Sequence, residues 1–186
     1  ASRLAARVNL GAELRTLIET APSRCGPVRV IAIDGPSGSG KTDLARVIVE
    51  AYRCPMIEVE YLIPGWDGLA EAPRLLTDQV LEPLSRGVPG AYRRWDWHAN
   101  TWAETVEVPV TELLVVEGCG SSVRPAGDFA AVRLWLDAPA EIRRERALAR
   151  DGDTYLPHWT RWARQEEALF GPDNTPARAD LHICTA

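Results

Sequence analysis

The apolar positions of this chain fall in short runs separated by glycine, proline and charge. Val28-Arg29-Val30-Ile31-Ala32-Ile33-Asp34 is a β-branched run ending in a glycine-rich turn, which predicts a buried parallel strand. Leu44, Ala45, Val47, Ile48 and Ala51 then recur at helical spacing up to Cys54-Pro55, so a helix is expected between them. Met56-Ile57-Glu58-Val59-Glu60 predicts a second strand whose last residue is Glu60, followed by the loop Ile63-Pro64-Gly65-Trp66-Asp67-Gly68. Over 72–86, Leu75, Leu76, Val80, Leu81 and Leu84 mark another helix, with a kink expected at Pro83. The stretch 92–109 is rich in tryptophan, and Thr105-Val106-Glu107-Val108 alternates like an edge strand of a hairpin.

Leu113-Leu114-Val115-Val116 and Val132-Arg133-Leu134-Trp135-Leu136 predict the third and fourth buried strands. A strongly charged helix is expected over 139–150, another over 159–169, and a last strand over 179–184. Strands alternating with helices predict an α/β fold, a parallel sheet covered by helices on both faces. At 186 residues the chain is long enough for one such domain with a real core and short for two. Within 1–27, Leu10, Leu14, Leu17 and Ile18 repeat at helical spacing. That pattern reads better as a helix packed on the domain than as a transit peptide, despite Arg3, Arg7 and Arg15.

Charge narrows the function classes. A net charge of −5 and a pI near 5.3 argue against a broad nucleic-acid surface, which needs clustered Lys and Arg. No apolar run approaches the ~18 residues of a membrane span, and no secretory apolar core opens the chain. The four cysteines are far apart without a Cys-x-x-Cys pair, so neither a zinc site nor a redox motif is indicated and a reducing, cytoplasmic setting is expected.

The strongest chemical signal is Gly35-Pro36-Ser37-Gly38-Ser39-Gly40-Lys41-Thr42, the pattern G-x-x-x-x-G-K-[ST] between a strand and a helix. Gly35, Gly38 and Gly40 let the backbone curl with its N–H groups inward, making an anion nest at a helix N-terminus with Ser37 and Ser39 in the loop. Lys41 is placed to reach β- and γ-phosphates, and the Thr42 hydroxyl to complete magnesium coordination. Lys41 is also the only lysine among 21 basic residues, a within-chain sign that a compact ammonium is needed there. Asp43 supports the helix dipole but lies close to where an α-phosphate would bind.

Further candidates surround this loop. Glu117 emerges from an apolar strand beside the P-loop, where it would serve magnesium or its water; the alternative is a capping carboxylate. Glu60 places a second carboxylate on the same rim, able to accept a hydroxyl proton. Arg143, Arg146 and Arg150 lie along one helix face, where they would close over a triphosphate or form a solvated face paired with Glu141 and Glu145. Of the seven tryptophans, Trp135 belongs to the core and Trp159 and Trp162 to a packing stripe. Trp66, Trp95, Trp97 and Trp102 occupy polar loop contexts, where a ring stacks on a flat acceptor or packs locally.

These motifs together resemble the uridine kinase-like branch of P-loop kinases, over 28–183. Ile33-Asp34 leading into the loop, Val115-Val116-Glu117-Gly118, Ala149-Arg150-Asp151 and Ala179-Asp180-Leu181 carry the likeness. The resemblance implies a five-stranded parallel core, a mobile arginine-bearing lid within 139–165, ATP with Mg2+, and phosphorylation of a hydroxyl. In such kinases an aspartate ending the second strand is the acceptor-side base, and Glu60 occupies its place. Departures fall on the acceptor side: Asp-x-Phe-Tyr is replaced by Glu60-Tyr61-Leu62-Ile63. The pattern Tyr-Asp-Phe-x-x-His-x-Arg becomes Trp95-Asp96-Trp97-His98-Ala99-Asn100-Thr101-Trp102, which keeps Asp96 but not the histidine or arginine.

The expected protein is an ATP-dependent kinase for a small hydroxyl-bearing acceptor. Glu60, Asp96, Trp95 and Trp66 face that acceptor; Lys41, Arg143, Arg146 and Arg150 hold the triphosphate; Thr42 and Glu117 organise the metal. The acceptor is a nucleoside or another alcohol such as a sugar, a vitamin precursor or an antibiotic. A rival from another class is a nucleotide-binding regulatory module without turnover. The oligomeric state is left open by the sequence.

Overall fold

The computed structural model describes residues 11–185, so Arg3, Arg7 and Leu10 lie outside the described residues. Helix α1 (Ala12–Thr20) buries Leu14 and Ile18. Strand β1 (Arg29–Asp34) leads through the glycine-rich loop into α2 (Lys41–Tyr52), and β2 is Met56–Glu58. After α3 (Ala72–Leu76) and α4 (Glu82–Ser85) come the hairpin strands β3 (Gly90–Asp96) and β4 (Thr101–Val108). The rest is β5 (Leu113–Glu117), β6 (Ala130–Asp137), α5 (Ala140–Asp151), α6 (Trp159–Asp173) and β7 (Leu181–Cys184). Segment 139–165 thus comprises α5, two short 3-10 turns and the start of α6.

Five strands form one parallel sheet in the order β2-β5-β1-β6-β7. Because neighbouring side chains on a strand point to opposite faces, each apolar run supplies both layers. Val30, Leu114, Val116 and Trp135 face the layer of α3, α4 and α6. Ile31, Ile33, Val115, Leu134 and Leu136 face α1 and α2. This two-sided burial is why the strands read as continuous apolar runs. Among the described residues no helix is long and apolar enough to cross a membrane, and all four cysteines are free.

Two local expectations are corrected. Strand β2 stops at Glu58, and Val59–Leu62 turn into a 3-10 helix, so Glu60 lies within that first turn, beyond the strand end. The edge strand pairs only with β5, and their last partners are Glu58 and Glu117; past that point no ladder remains to hold an extended chain. The helix expected over 72–86 is split by a π-helical segment, Thr77–Leu81. Pro83 has no N–H to give the carbonyl of Gln79 and its ring crowds that oxygen, so the backbone widens just before it.

The hairpin forms a separate two-stranded sheet with Trp95 opposite Trp102. Trp95 is therefore in a strand, buried edge-on against Trp102 at 5.0 Å. Tyr92 and Val108 anchor the hairpin in the core, and the Arg93 N–H bonds to Gln79 Oε1 at 3.0 Å. Trp135, expected in the core, is buried against Phe170.

Candidate active site

The carboxyl end of β1 points into the glycine-rich loop at the centre of the sheet, where strand connections diverge to both sides, the usual place for a ligand in such folds. Two glycines there have no substitute. A Cβ on Gly35, at φ +139°, would lie 2.0 Å from the Leu136 carbonyl oxygen, and one on Gly38, at φ +80°, 2.1 Å from that of Arg143. The loop is thus squeezed between β6 and the first turns of α5. Lys41 is buried, its Nζ donating to the Pro36 carbonyl at 2.9 Å across the loop.

Asp34 ties the loop to the segment following β5. Its buried carboxylate accepts from the N–H groups of Gly35, Gly120 and Ser122 at 2.8–2.9 Å and from the Ser122 hydroxyl at 3.0 Å. Burial pushes this carboxyl up, opposed by those N–H groups and by Lys41. A second buried carboxylate, Glu166 on α6, accepts from the Ser37 N–H at 2.7 Å, the Trp162 indole at 2.9 Å and the Cys119 thiol at 3.3 Å. One amide of the expected nest is therefore already engaged by a side chain. Burial raises the Cys119 thiol, so that group stays protonated and acts as a donor.

Above the loop lies a cavity of about 520 Å³ bounded by Gly38, Gly40, Lys41, Thr42 and Glu117 below and by Arg146 and Arg150 above. Thr42 Oγ1 donates to Glu117 Oε1 at 3.0 Å. Burial raises the Glu117 carboxyl, against Lys41 and the Thr42 bond. These adjacent hydroxyl and carboxylate oxygens are the hard donors that magnesium takes. Asp43 and Arg46 also line this cavity, so Asp43 does not turn fully away from it.

Arg143, Arg146 and Arg150 of α5 divide. Arg143 holds the helix to the loop, donating to the Ala138 carbonyl at 3.0 Å and the Ser37 carbonyl at 3.4 Å and pairing with Asp137 at 3.4 Å. Arg146 reaches the Thr185 carbonyl and hydroxyl, both at 3.0 Å, and that hydroxyl donates to the Ser39 carbonyl. Arg150 pairs with Asp151 at 2.6 Å.

A second cavity of about 420 Å³ opens beside the first, and both are bounded by Ser37, Glu60, Arg150 and Trp162. Glu60 is reached by solvent at their junction, yet surrounding protein and then the charge of Glu58 push its carboxyl up to about 7, Arg150 opposing and Glu117 and Asp151 adding to the rise. Trp66 and Trp97 form walls of this cavity, with ring centres 5.1 Å apart. Neither Trp95 nor Asp96 lines it. Asp96 instead caps the hairpin turn, accepting from the N–H groups of Ala99 and His98 at 2.9 Å, which with Arg94 hold its carboxyl low.

No protein-family model matches the chain and no curated protein matches it. Solved structures do. A possible uridine kinase from Bacillus stearothermophilus, 19% identical, covers 92% of this chain and 99% of its own with a TM-score of 0.62. A protein assigned as a fructose transport system kinase from Silicibacter sp. TM1040, 18% identical, covers 91% and 96% with a TM-score of 0.56. A shikimate kinase from Acinetobacter baumannii in complex with shikimate, 16% identical, covers 86% and 84% with a TM-score of 0.50.

The chain shares its fold with these structures. At these identities the likeness concerns the fold and not the reaction. Within this fold, sequence reasoning missed Asp34, Glu166 and Tyr155. Asp34 carried the signal of an acid ending a strand; Glu166 and Tyr155 carried none, since each meets the loop only through α6 and the turns before it.

Proposed function

We propose that this chain is an ATP-dependent kinase that transfers the γ-phosphate to a hydroxyl of a small molecule. One observation carries the reading: a phosphate cradle and an aromatic chamber share Ser37, Glu60, Arg150 and Trp162. Two bound molecules would therefore meet at one carboxylate and one guanidinium, the arrangement that a direct transfer needs. Lys41 and the loop N–H groups hold the β- and γ-phosphates. Thr42 and Glu117 would hold magnesium, which when bound neutralises charge on the terminal phosphate oxygens.

In the transfer, the acceptor oxygen bonds to the γ-phosphorus, the bond to the β–γ bridging oxygen breaks, and ADP leaves. Glu60 takes or orients the acceptor's proton, and its raised pKa suits that role near neutrality. Arg146 and Arg150, across the cavity from the loop, stabilise the charge in transit. A nucleoside and a non-nucleoside alcohol both fit this chemistry. ADP formation from ATP and magnesium, measured with a panel of nucleosides, sugars and other alcohols, should depend on one acceptor class. Tight ATP binding without turnover on any of them would instead favour a regulatory nucleotide-binding module.

A further inference from the structure

The second cavity has walls of unlike character. Tyr61, Trp66, Trp97, Tyr155 and Trp162 contribute rings, while Glu60 and Asp151 contribute carboxylates. The rings are already fixed: Trp66 stacks on His158 at 4.2 Å and 13°, and it meets Tyr155 at 5.3 Å and Trp162 edge-on at 6.0 Å. The Trp97 indole N–H donates to the Glu60 carbonyl at 3.1 Å. A wall that does not have to order itself loses little affinity on binding.

Positive charge on this side is already committed. Arg150 is the cation of the lining; its Nε and Nη2 both bond to Asp151, at 2.6–3.0 Å, and in the transfer proposed above it serves the phosphate of the first cavity, which it also borders. Glu60 faces Glu58 and Glu117 as further negative neighbours, and a triphosphate in the adjoining cradle adds more. Independently of these charges, the Tyr155 hydroxyl is buried with no partner of hydrogen-bond geometry, on a residue only 3% exposed that lines the cavity. Burial raises this phenol, with the nearby Ser37 side chain acting the other way, so it stays protonated in the wall of the cavity.

From this arrangement we infer that the cavity takes a flat, ring-bearing alcohol that carries a protonated amine, and rejects acceptors that carry a carboxylate or phosphate. The rings bind the flat body and the cation by stacking and cation–π attraction. Glu60 supplies the complementary charge, and Asp151, already paired with Arg150, adds no net positive charge beside it. A carboxylate would meet Glu60 in a lining whose one cation, Arg150, is already shared between Asp151 and the phosphate side, a like-charge encounter that disfavours the wrong partner. The inference rests on the kinase reading for the presence of an acceptor, but its test does not need turnover.

Three probes share one ring and one hydroxyl and differ in charge: phenylalaninol, 3-phenyl-1-propanol and 3-phenyllactate. Titration calorimetry on the intact chain with a non-hydrolysable ATP analogue and magnesium should rank them in that order, with about tenfold between the amine and the neutral alcohol. Asp151→Asn should narrow the ratio of amine to carboxylate affinity at least fivefold, because it removes one carboxylate and frees Arg150. Should that variant not fold, the wild-type ratio must still shrink as salt rises from 50 to 500 mM.

Equal affinities, a preference for the carboxylate, or no binding by any probe overturns the inference. The expected ranking without phosphate transfer to any alcohol keeps it and counts against the kinase reading. Transfer to an anionic acceptor while phenylalaninol stays unbound does the reverse.

Discussion

At Glu60, enclosure by protein and the charge of Glu58 outweigh Arg150 and bring the carboxyl up to about 7, so its ionised fraction changes across the physiological range. A proton acceptor works only when ionised, and kcat should therefore fall as pH drops through about 7. Glu60→Gln should lower kcat on the order of 10²–10⁴-fold, abolish that inflection and leave ATP affinity nearly unchanged. Glu60→Asp should keep more activity than the amide. The sign for stability is opposite to that of an ordinary ion-paired carboxylate. A raised pKa means the folded chain binds the proton more tightly than the unfolded one, so this group's contribution is full below about 4.5 and is lost as pH rises through about 7. Melting curves of Glu60→Gln should accordingly lose that part of the pH dependence and lie higher than wild type at pH 8. A kcat profile that is unchanged in both variants reduces Glu60 to a surface carboxylate.

Helix α5 serves two purposes through different residues on one face. Its first turns are bound to the glycine-rich loop by Arg143, while Arg146 and Arg150 overlook the cavity. Arg150→Ala should depress kcat with little change in melting temperature, since an exposed ion pair contributes about 1 kcal/mol or less to folding. Arg143→Ala should instead raise the KM for ATP and leave kcat closer to wild type, because it loosens the cradle without touching the transferred group. Kinetics showing the same kcat loss in both would mean the face acts as a unit. The connection from β1 to the segment after β5 depends on Asp34 in the same structural sense. Asp34→Asn replaces one acceptor oxygen by a donor facing N–H groups, and urea denaturation should show a loss of about 3 kcal/mol.

For the molecule as a whole, the proposed nucleotide site would couple binding to folding, because the first cavity is built from the loop after β1 together with α2, β5 and α5. ATP with magnesium at about a hundred times its Kd should add roughly 2.7 kcal/mol of stability, on the order of 5–10 °C in Tm for a chain of this size. Lys41→Ala should remove about half or more of that shift, weakening ATP by about 10–100-fold. Lys41→Arg should not restore it, since a planar guanidinium does not fit where a buried ammonium spans the loop to Pro36. A full ATP-dependent shift in Lys41→Ala would exclude the glycine-rich loop as the nucleotide site.

The strand, turn and helix around Lys41, the two-faced burial of the parallel sheet and the position of Glu117 at a strand end were all legible from the chain alone. Each is a matter of local periodicity, of where glycine permits the backbone to turn, and of which face a side chain takes. The outcome at β2 was not legible, because its length depends on how far its neighbour β5 continues. Nor was the inward packing of Trp95, which depends on its cross-strand partner Trp102. The sequence placed Arg143, Arg146 and Arg150 on one face but not what each would meet. Glu166 lies 129 positions from the Ser37 amide it holds, and Asp34 lies 86 and 88 positions from Gly120 and Ser122. Partners that distant are selected by how whole elements pack, and a buried carboxylate takes whichever donors that packing brings within about 3 Å. The sequence by itself thus determined the glycine-rich loop between β1 and α2, and only the tertiary structure decided what surrounds it and which cavity opens beside it.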